Sequence, residues 1–442
     1  MKEITNDFLK EVTEDYLSKD IYTIARGALS NSDVTKLVEN KGEYNKTRPM
    51  FSIEIQTLPV CNQKKSGRCW IFAGLNVLRE IIGKKYNLEK FELSQSYIAF
   101  WDKLEKCNFL LETVMSLLEV DKDDRTLVHV LSNGIEDGGQ WDMFVNIVNK
   151  YGVVPQDAFP ETYQSSNSRD INRVLNRLIR KFAYDARHEF TGDMKPIRAK
   201  KEALMKDIYK ALCSAYGVPP KSFTFETVNK DTYEYKRERN VTPHEFVRNF
   251  LEIDLNDYVS IINSPTDDKP FNNTFTVKHL GNVVEGNRVK YLNLEMPRFK
   301  ELVISQLKDK EVVWFGSDCS KYGGRDVGLW DDKTYDTDTL FQVNSKMTKE
   351  AMLDSRESAM NHAMVITGVD LVDNKSTKWK IENSWGEDIA YEGYYVASDS
   401  WFDNYVYQAV VNKKYLSDEE LAMLKQEPIE LNPWDPMGTL AK

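Results

Sequence analysis

The sequence predicts an α+β protein, with helices dominating the first half and strands the second. Three observations point there. Residues 1–40, 70–82 and 168–217 carry apolar side chains every three or four positions. Four short stretches after residue 310 are rich in Val, Ile, Trp and Tyr. The pattern changes once along the chain instead of alternating, which argues against a doubly wound parallel sheet.

Taken in order, Phe8, Val12, Tyr16 and Leu17 lie at helical spacing in the first segment. Ile71, Phe72, Leu75, Leu78 and Ile82 mark a strong helix, with Gly83 its expected stop. "RDINRVLNRLIRKFAYDARHEF" and "KEALMKDIYKALCSAYG" are amphipathic helices on charged backgrounds. "TVNKDTYEYKRERNV" is extended. "TPHEFVRNFLEI" restarts a helix, with Thr242 as N-cap, Pro243 at the first position and Glu245 closing a capping box. The expected strands are "EVVWFGSDC", "HAMVITGVDL", "TKWKIENSW" and "EGYYVASDSWF".

Composition narrows the function. A chain of 442 residues has room for about three domain equivalents. The net charge of −10 disfavours nucleic acid as an obligate partner. The five cysteines, Cys61, Cys69, Cys107, Cys213 and Cys319, are scattered and form no C-x-x-C pair. That is neither a disulfide framework nor a zinc site, and it suits a reducing cytoplasm. The charged amphipathic start is unlike a signal peptide, no apolar run approaches a membrane span, and no repeat is evident.

The chemistry centres on "CNQKKSGRCWIFAGLNVLRE", residues 61–80, which places Cys69 where a helix begins. Most cysteines are small buried hydrophobes. At a helix N-terminus, however, unpaired N–H groups favour the thiolate. Gln63, across a glycine-containing loop, can aim its NH₂ beside the Cys69 N–H, giving two donors for an oxyanion. Of five histidines, His188 and His244 sit in charged helical contexts, and His129 and His279 have no evident partner. His362 opens an apolar strand, which would hold its ring rigidly. Asn383, in "IENSWG" on the next strand, is placed to fix its tautomer. Trp385 is placed to shield that hydrogen bond. Together these residues meet the requirements for nucleophile, base, orienter and oxyanion donors, with no metal or organic cofactor.

"QKKSGRCW", "NHAMVITG" and "ENSWG", in this order, resemble the papain-type cysteine peptidases. That family carries C-G-[SA]-C-[WY] around its nucleophile; here Ser66-Gly67-Arg68-Cys69-Trp70 replaces the first cysteine and the small residue. "DGGQWDMFVNIVNKYGVVPQDAFPETY" is similar to the family's Gly-Gly segment and the helix after it. The resemblance implies that the backbone of Gly138 and Gly139 pairs with extended substrate. The family histidine follows the cysteine by about 130–150 residues; here the interval is about twice that, so the catalytic domain carries a large insertion.

With that insertion, "SGRCW" and the chain end "NPWDPMGTLAK", the sequence closely resembles the bleomycin hydrolase and bacterial aminopeptidase C family. The resemblance implies a papain-like fold in four parts. Residues 1–163 form the cysteine-bearing half, 164–295 an inserted helical and hook region for oligomerisation, 296–412 the β-rich half with histidine and asparagine, and 413–442 a tail reaching into the cleft. It also implies a homohexamer with active sites facing a channel, and peptide substrates with a free N-terminus. The tail's carboxylate would meet the substrate's ammonium, after self-removal of Lys442 leaves Ala441 terminal. The expected activity is that of a cytoplasmic cysteine aminopeptidase. The alternatives are a transglutaminase-like acyl transferase, or a nucleic-acid-binding or scaffold protein of the same fold.

Overall fold

The computed structural model describes residues 2–439. The α+β expectation holds. The first 40 residues form three helices, Asn6–Leu17, Asp20–Leu29 and Val34–Val38. The cysteine helix runs Cys69–Tyr86, longer than expected. Gly83 does not stop it. A Cβ there would lie 2.9 Å from the Leu58 side chain, so the glycine serves a close approach. The helix stops at Asn87, whose left-handed φ of 51° lets Leu88 N–H reach back to the Gly83 carbonyl.

The helices Arg169–Glu189 and Met194–Tyr216 fall where periodicity placed them. The Thr242–Glu245 capping box forms as expected. "EGYYVASDSWF" is only half strand. Tyr394–Ser398 is extended, and then the Ser398 hydroxyl accepts from Trp401 N–H and starts the helix Asp399–Tyr405. The Ser-Asp-Ser cap outweighs the aromatic content of the stretch.

Among the described residues one large sheet dominates. From one edge its strands are Ile429–Leu431, Asn273–Val277, Tyr291–Asn293, Tyr258–Ile262, Val406–Asn412, Val313–Ser317, His362–Val372, Lys375–Glu382, Tyr394–Ser398, Leu329–Trp330 and Gly323–Gly324, with Ile53–Glu54 added beside His362–Val372. Residues 258–293 therefore belong to this sheet. The part of 164–295 that forms a separate sheet is the hairpin Phe223–Val228 with Tyr235–Val241.

The cysteine helix lies against the histidine strand. Fourteen of its residues are buried, including Cys69, Trp70, Leu75, Leu78 and Ile82. The indole N–H of Trp314, on Val313–Ser317, donates to the Trp70 carbonyl at 3.2 Å, which ties the first turn of the helix to the sheet. The site thus sits on the seam between the helical and the β-rich halves.

Candidate active site

Cys69 is the first residue of its helix, and Arg68 before it supplies no side-chain cap. The backbone N–H groups of Ala363 (3.5 Å from Sγ), Trp70 and Cys69 favour the thiolate. Burial is stronger. The thiol is 0% exposed, and desolvation pushes its pKa up to about 12. The helix N-terminus alone therefore does not deliver the thiolate expected from the sequence.

His362 opens its strand opposite Ser317. Its Nε2 lies 2.8 Å from Asn383 Oδ1. The Ser384 N–H donates to the same oxygen at 2.8 Å. A backbone N–H requires an acceptor, so this contact fixes which end of the Asn383 amide is the oxygen. The imidazole must then be the donor at Nε2, leaving Nδ1 unprotonated and able to accept a proton. Burial lowers the imidazole pKa to about 4, although the hydrogen bond to Asn383 works in the opposite sense. Trp385 stacks on the ring with centroids 5.2 Å apart and planes at 27°. Burial thus works against charge on both the thiol and the imidazole. One proton transfer between them gives the ion pair with no change in net charge.

Gln63 is buried in the same site. Its Oε1 accepts from the Ser384 hydroxyl at 2.5 Å, and its Nε2 donates to the Ser66 carbonyl at 2.7 Å. One N–H remains for an oxyanion. Ser384 thus orients both Asn383, through its backbone, and Gln63, through its hydroxyl. Sequence reasoning missed it because a serine in a polar strand end carries no periodic signal.

Gly138 and Gly139 lie beside the nucleophile. The Trp70 indole donates to the Asp137 carbonyl at 2.6 Å, and a Cβ on Gly139 would lie 2.5 Å from the indole ring. The Gly138 carbonyl accepts from Lys106 at 2.6 Å. The buried Asp137 carboxylate accepts from Gly67 N–H (2.9 Å), Asn172 (2.8 Å), Lys103 and Ser168. Burial alone would raise its pKa; Lys103 and these donors hold it well below the usual range. Arg68 forks onto Glu161 with two 2.9 Å bonds. The loop entering Cys69 is therefore held from both sides.

A second buried network joins the two halves directly. Asn76 and Arg79, on the cysteine helix, both donate at 2.8 Å to Glu382 Oε1, in the residue just before Asn383. Arg79 and Glu382 are each 1% exposed. The helix that begins at Cys69 and the strand that ends just before Asn383 are thus tied one residue from the His362–Asn383 contact.

The tail approaches from the Gly-Gly side. Asp435 caps the turn Pro436–Gly438 and pairs with the buried Lys269 at 2.9 Å. Tyr291 donates to the Met437 carbonyl at 3.1 Å, and Gln140 Nε2 to the Thr439 carbonyl at 2.8 Å. A Cβ on Gly438 would lie 3.0 Å from Val277. The tail is therefore pinned as far as Thr439. Ala441 and Lys442 lie outside the described residues. A cavity of about 480 Å³ opens here, lined by Glu136, Asn361, Gly438 and Thr439, with His129 and His279 in its wall. Across the site, beyond Trp385, lies a recess of about 530 Å³.

The structure brings Cys69, His362, Asn383, Gln63, Trp385, Gly138 and Gly139 into one site. No helix of the described residues is long and apolar enough to cross a membrane.

Residues 3–438 match the Peptidase C1-like family. Aminopeptidase C of Lactobacillus delbrueckii subsp. lactis is 46% identical over 100% of this chain and 99% of its own length. Bleomycin hydrolase of Homo sapiens is 39% identical over 95% of each chain. The crystal structure of PepW from Lactobacillus rhamnosis HN001 superposes with a TM-score of 0.97, at 44% identity over 99% of each chain. A family match across nearly the whole chain, full-length relatives well above 30% identity and a thiol–imidazole–amide seam agree: the chain belongs to the Peptidase C1-like family.

Proposed function

We propose that this chain is a cysteine aminopeptidase that removes the first residue of peptides through an acyl-enzyme on Cys69. The observation that carries this reading is the fixed tautomer beside the thiol. Ser384 N–H orients the Asn383 amide, Asn383 holds the His362 Nε2–H, and Nδ1 is left to take a proton. His362 Nδ1 accepts the Sγ proton as sulfur attacks the carbonyl carbon of the substrate's first residue. The carbonyl oxygen becomes an oxyanion held by the Cys69 N–H and the free N–H of Gln63. Collapse breaks the C–N bond, and the imidazolium protonates the departing amine. Water, deprotonated by His362, then hydrolyses the thioester to release the free amino acid and restore the thiol.

The requirement for a free N-terminus rests on the tail. Thr439 is held by Gln140, next to Gly138 and Gly139 in the chain. A terminal carboxylate there would meet a substrate ammonium in a charge-assisted contact, while the tail blocks residues ahead of the first. Removal of Lys442, leaving Ala441 as the terminus, belongs to the same proposal. So does backbone pairing of substrate with Gly138 and Gly139.

Self-association into a closed oligomer, with six subunits the favoured number, has two supports. The Asn6–Leu17 helix buries none of its residues and exposes Phe8, Leu9, Val12 and Leu17. Among the described residues the Tyr235–Val241 strand pairs only with Phe223–Val228, so its outer edge is open there. A cytoplasmic setting suits five cysteines that are all free. Turnover of one peptide with a free and with a blocked amino terminus tests the reading. Cleavage of the blocked peptide at the same bond and rate would remove the amino-terminal requirement.

A further inference from the structure

The recess beyond Trp385 has a charge opposite to that of the chain. The protein carries a net −10, yet the recess is lined by Lys64, Lys65 and Arg325, with Asn62, Ser166, Asn167 and Trp385, and by no carboxylate. None of the three cations has an ion-pair partner among the described residues. With no carboxylate in the lining, that leaves a local positive field without internal compensation.

The recess is built into the catalytic seam. Asn62 pairs with Trp385 in an antiparallel bridge, and Lys65 pairs with Asn167 in a parallel one. Lys64 holds a left-handed φ of 54°, and its N–H donates to Asn62 Oδ1 at 2.9 Å. The Arg325 guanidinium lies 4.9 Å from the centre of the Trp385 ring, the ring that also stacks on His362. Lys64 directly follows Gln63, the oxyanion donor. The cations therefore lie against the ring that stacks on His362, and the recess shares no lining residue with the cavity at the tail.

We propose that this recess is a carboxylate subsite for the leaving group. The inference rests on the aminopeptidase reading. If the tail end of the cleft holds the substrate's first residue, the remaining peptide must leave across Trp385. One residue spans roughly 3.3–3.6 Å. The carboxylate of a dipeptide or tripeptide, or an acidic side chain just after the scissile bond, therefore falls among Lys64, Lys65 and Arg325. The chemistry recognised is a carboxylate in either case. Where the terminal carboxylate is the group held, the enzyme favours short peptides, the products of prior endopeptidase cleavage, over long chains whose C-terminus lies beyond the recess.

The test compares kcat/KM on four peptides and a dye, all with the same free N-terminal residue, at low salt. Leucyl-alanine against leucyl-alaninamide reads the terminal carboxylate. Leucyl-aspartyl-amide against leucyl-asparaginyl-amide reads an acidic side chain. A leucyl dye with a neutral leaving group reads aminopeptidase activity alone. The expected result is about a three- to tenfold preference for the charged member of at least one pair, the scale of exposed charge pairing acting at several cations. That preference shrinks with added salt and falls towards one in the combined Lys64→Gln, Lys65→Gln, Arg325→Gln variant. A preference in the first pair assigns the terminal carboxylate, and one in the second the side chain. Dye turnover with no preference in either pair overturns the subsite while leaving the aminopeptidase reading intact. A preference that survives in the triple variant overturns its assignment to these residues. No turnover of dye or peptide overturns both readings.

Discussion

The catalytic seam and the Phe223–Val241 hairpin are built on opposite terms. In the seam, charged groups are buried and matched. Arg79 meets Glu382, Lys103 meets Asp137 and Arg68 meets Glu161, all with at least one partner nearly inaccessible. In the hairpin, Tyr235 to Asn240 are all exposed, and the charged side chains face water. The anchoring comes from the first strand and from Val241 at the end of the second, which is buried. Phe225 packs edge-on against Tyr86, Phe91, Phe246 and Phe250. Asp231 at the tip reaches Asn87 at the end of the cysteine helix. The difference shows where each region's specificity comes from. A buried charge is costly unless its partner is held in place, so the seam has one geometry. An exposed charged strand costs little, discourages indiscriminate edge pairing, and leaves its meaning to whatever docks there.

The contrast breaks most completely at the nucleophile. Cys69→Ala abolishes peptide turnover while leaving a folded protein, as measured by activity and circular dichroism. Residual turnover above background would mean that another group forms the acyl-enzyme. Arg79→Ala follows. Removing one partner of a buried pair leaves the Glu382 carboxylate uncompensated, a loss of about 3–5 kcal/mol in denaturant unfolding. Turnover falls with it, because Asn383 moves with its strand. Replacing Arg79 and Glu382 together by Met and Leu recovers a large share of the stability. If the single variant unfolds like the parent, the tie between the two halves is not structural.

Gln63→Ala keeps the fold and lowers kcat by about a hundred- to a thousandfold, the range for one oxyanion donor. A smaller shift is expected at Asn383. Its oxygen accepts from the Nε2–H and so stabilises the imidazolium, which raises the pKa of His362 against the lowering by burial. The neutral base is present above that pKa and lost as pH falls through it, near 4 in the parent. Asn383→Ala removes the raising contact, so the acid limb of kcat/KM moves to lower pH as overall turnover drops. A limb moving upward would contradict the tautomer assigned here. The least effect on the catalytic unit belongs to the hairpin. Replacing Arg237 and Arg239 by glutamate should leave melting temperature and turnover unchanged, yet lower the mass seen in sedimentation if this edge joins subunits.

Much of the site was legible in the sequence because its parts are local. A cysteine at a helix start, an oxyanion amide six residues upstream, and a histidine and an asparagine on successive strands each show in short windows. The helices of 169–216 and the capping box at Thr242 were legible for the same reason. Tertiary structure decided what depended on distant partners. Gly83 reads as a stop until Leu58, 25 residues earlier in the chain, is seen pressed against it. Tyr258–Ile262 carries no sign of its place in the large sheet until Val406–Asn412 supplies its hydrogen-bond ladder. The helix N-terminus predicts a thiolate, but the extent to which Cys69 is desolvated is set by the sheet packed over it, and that burial outweighs the local N–H groups. Sequence alone picked out the groups proposed to do the chemistry. Only the folded seam decided their protonation, because burial and charge pairing are properties of neighbours that the chain brings together from hundreds of residues apart.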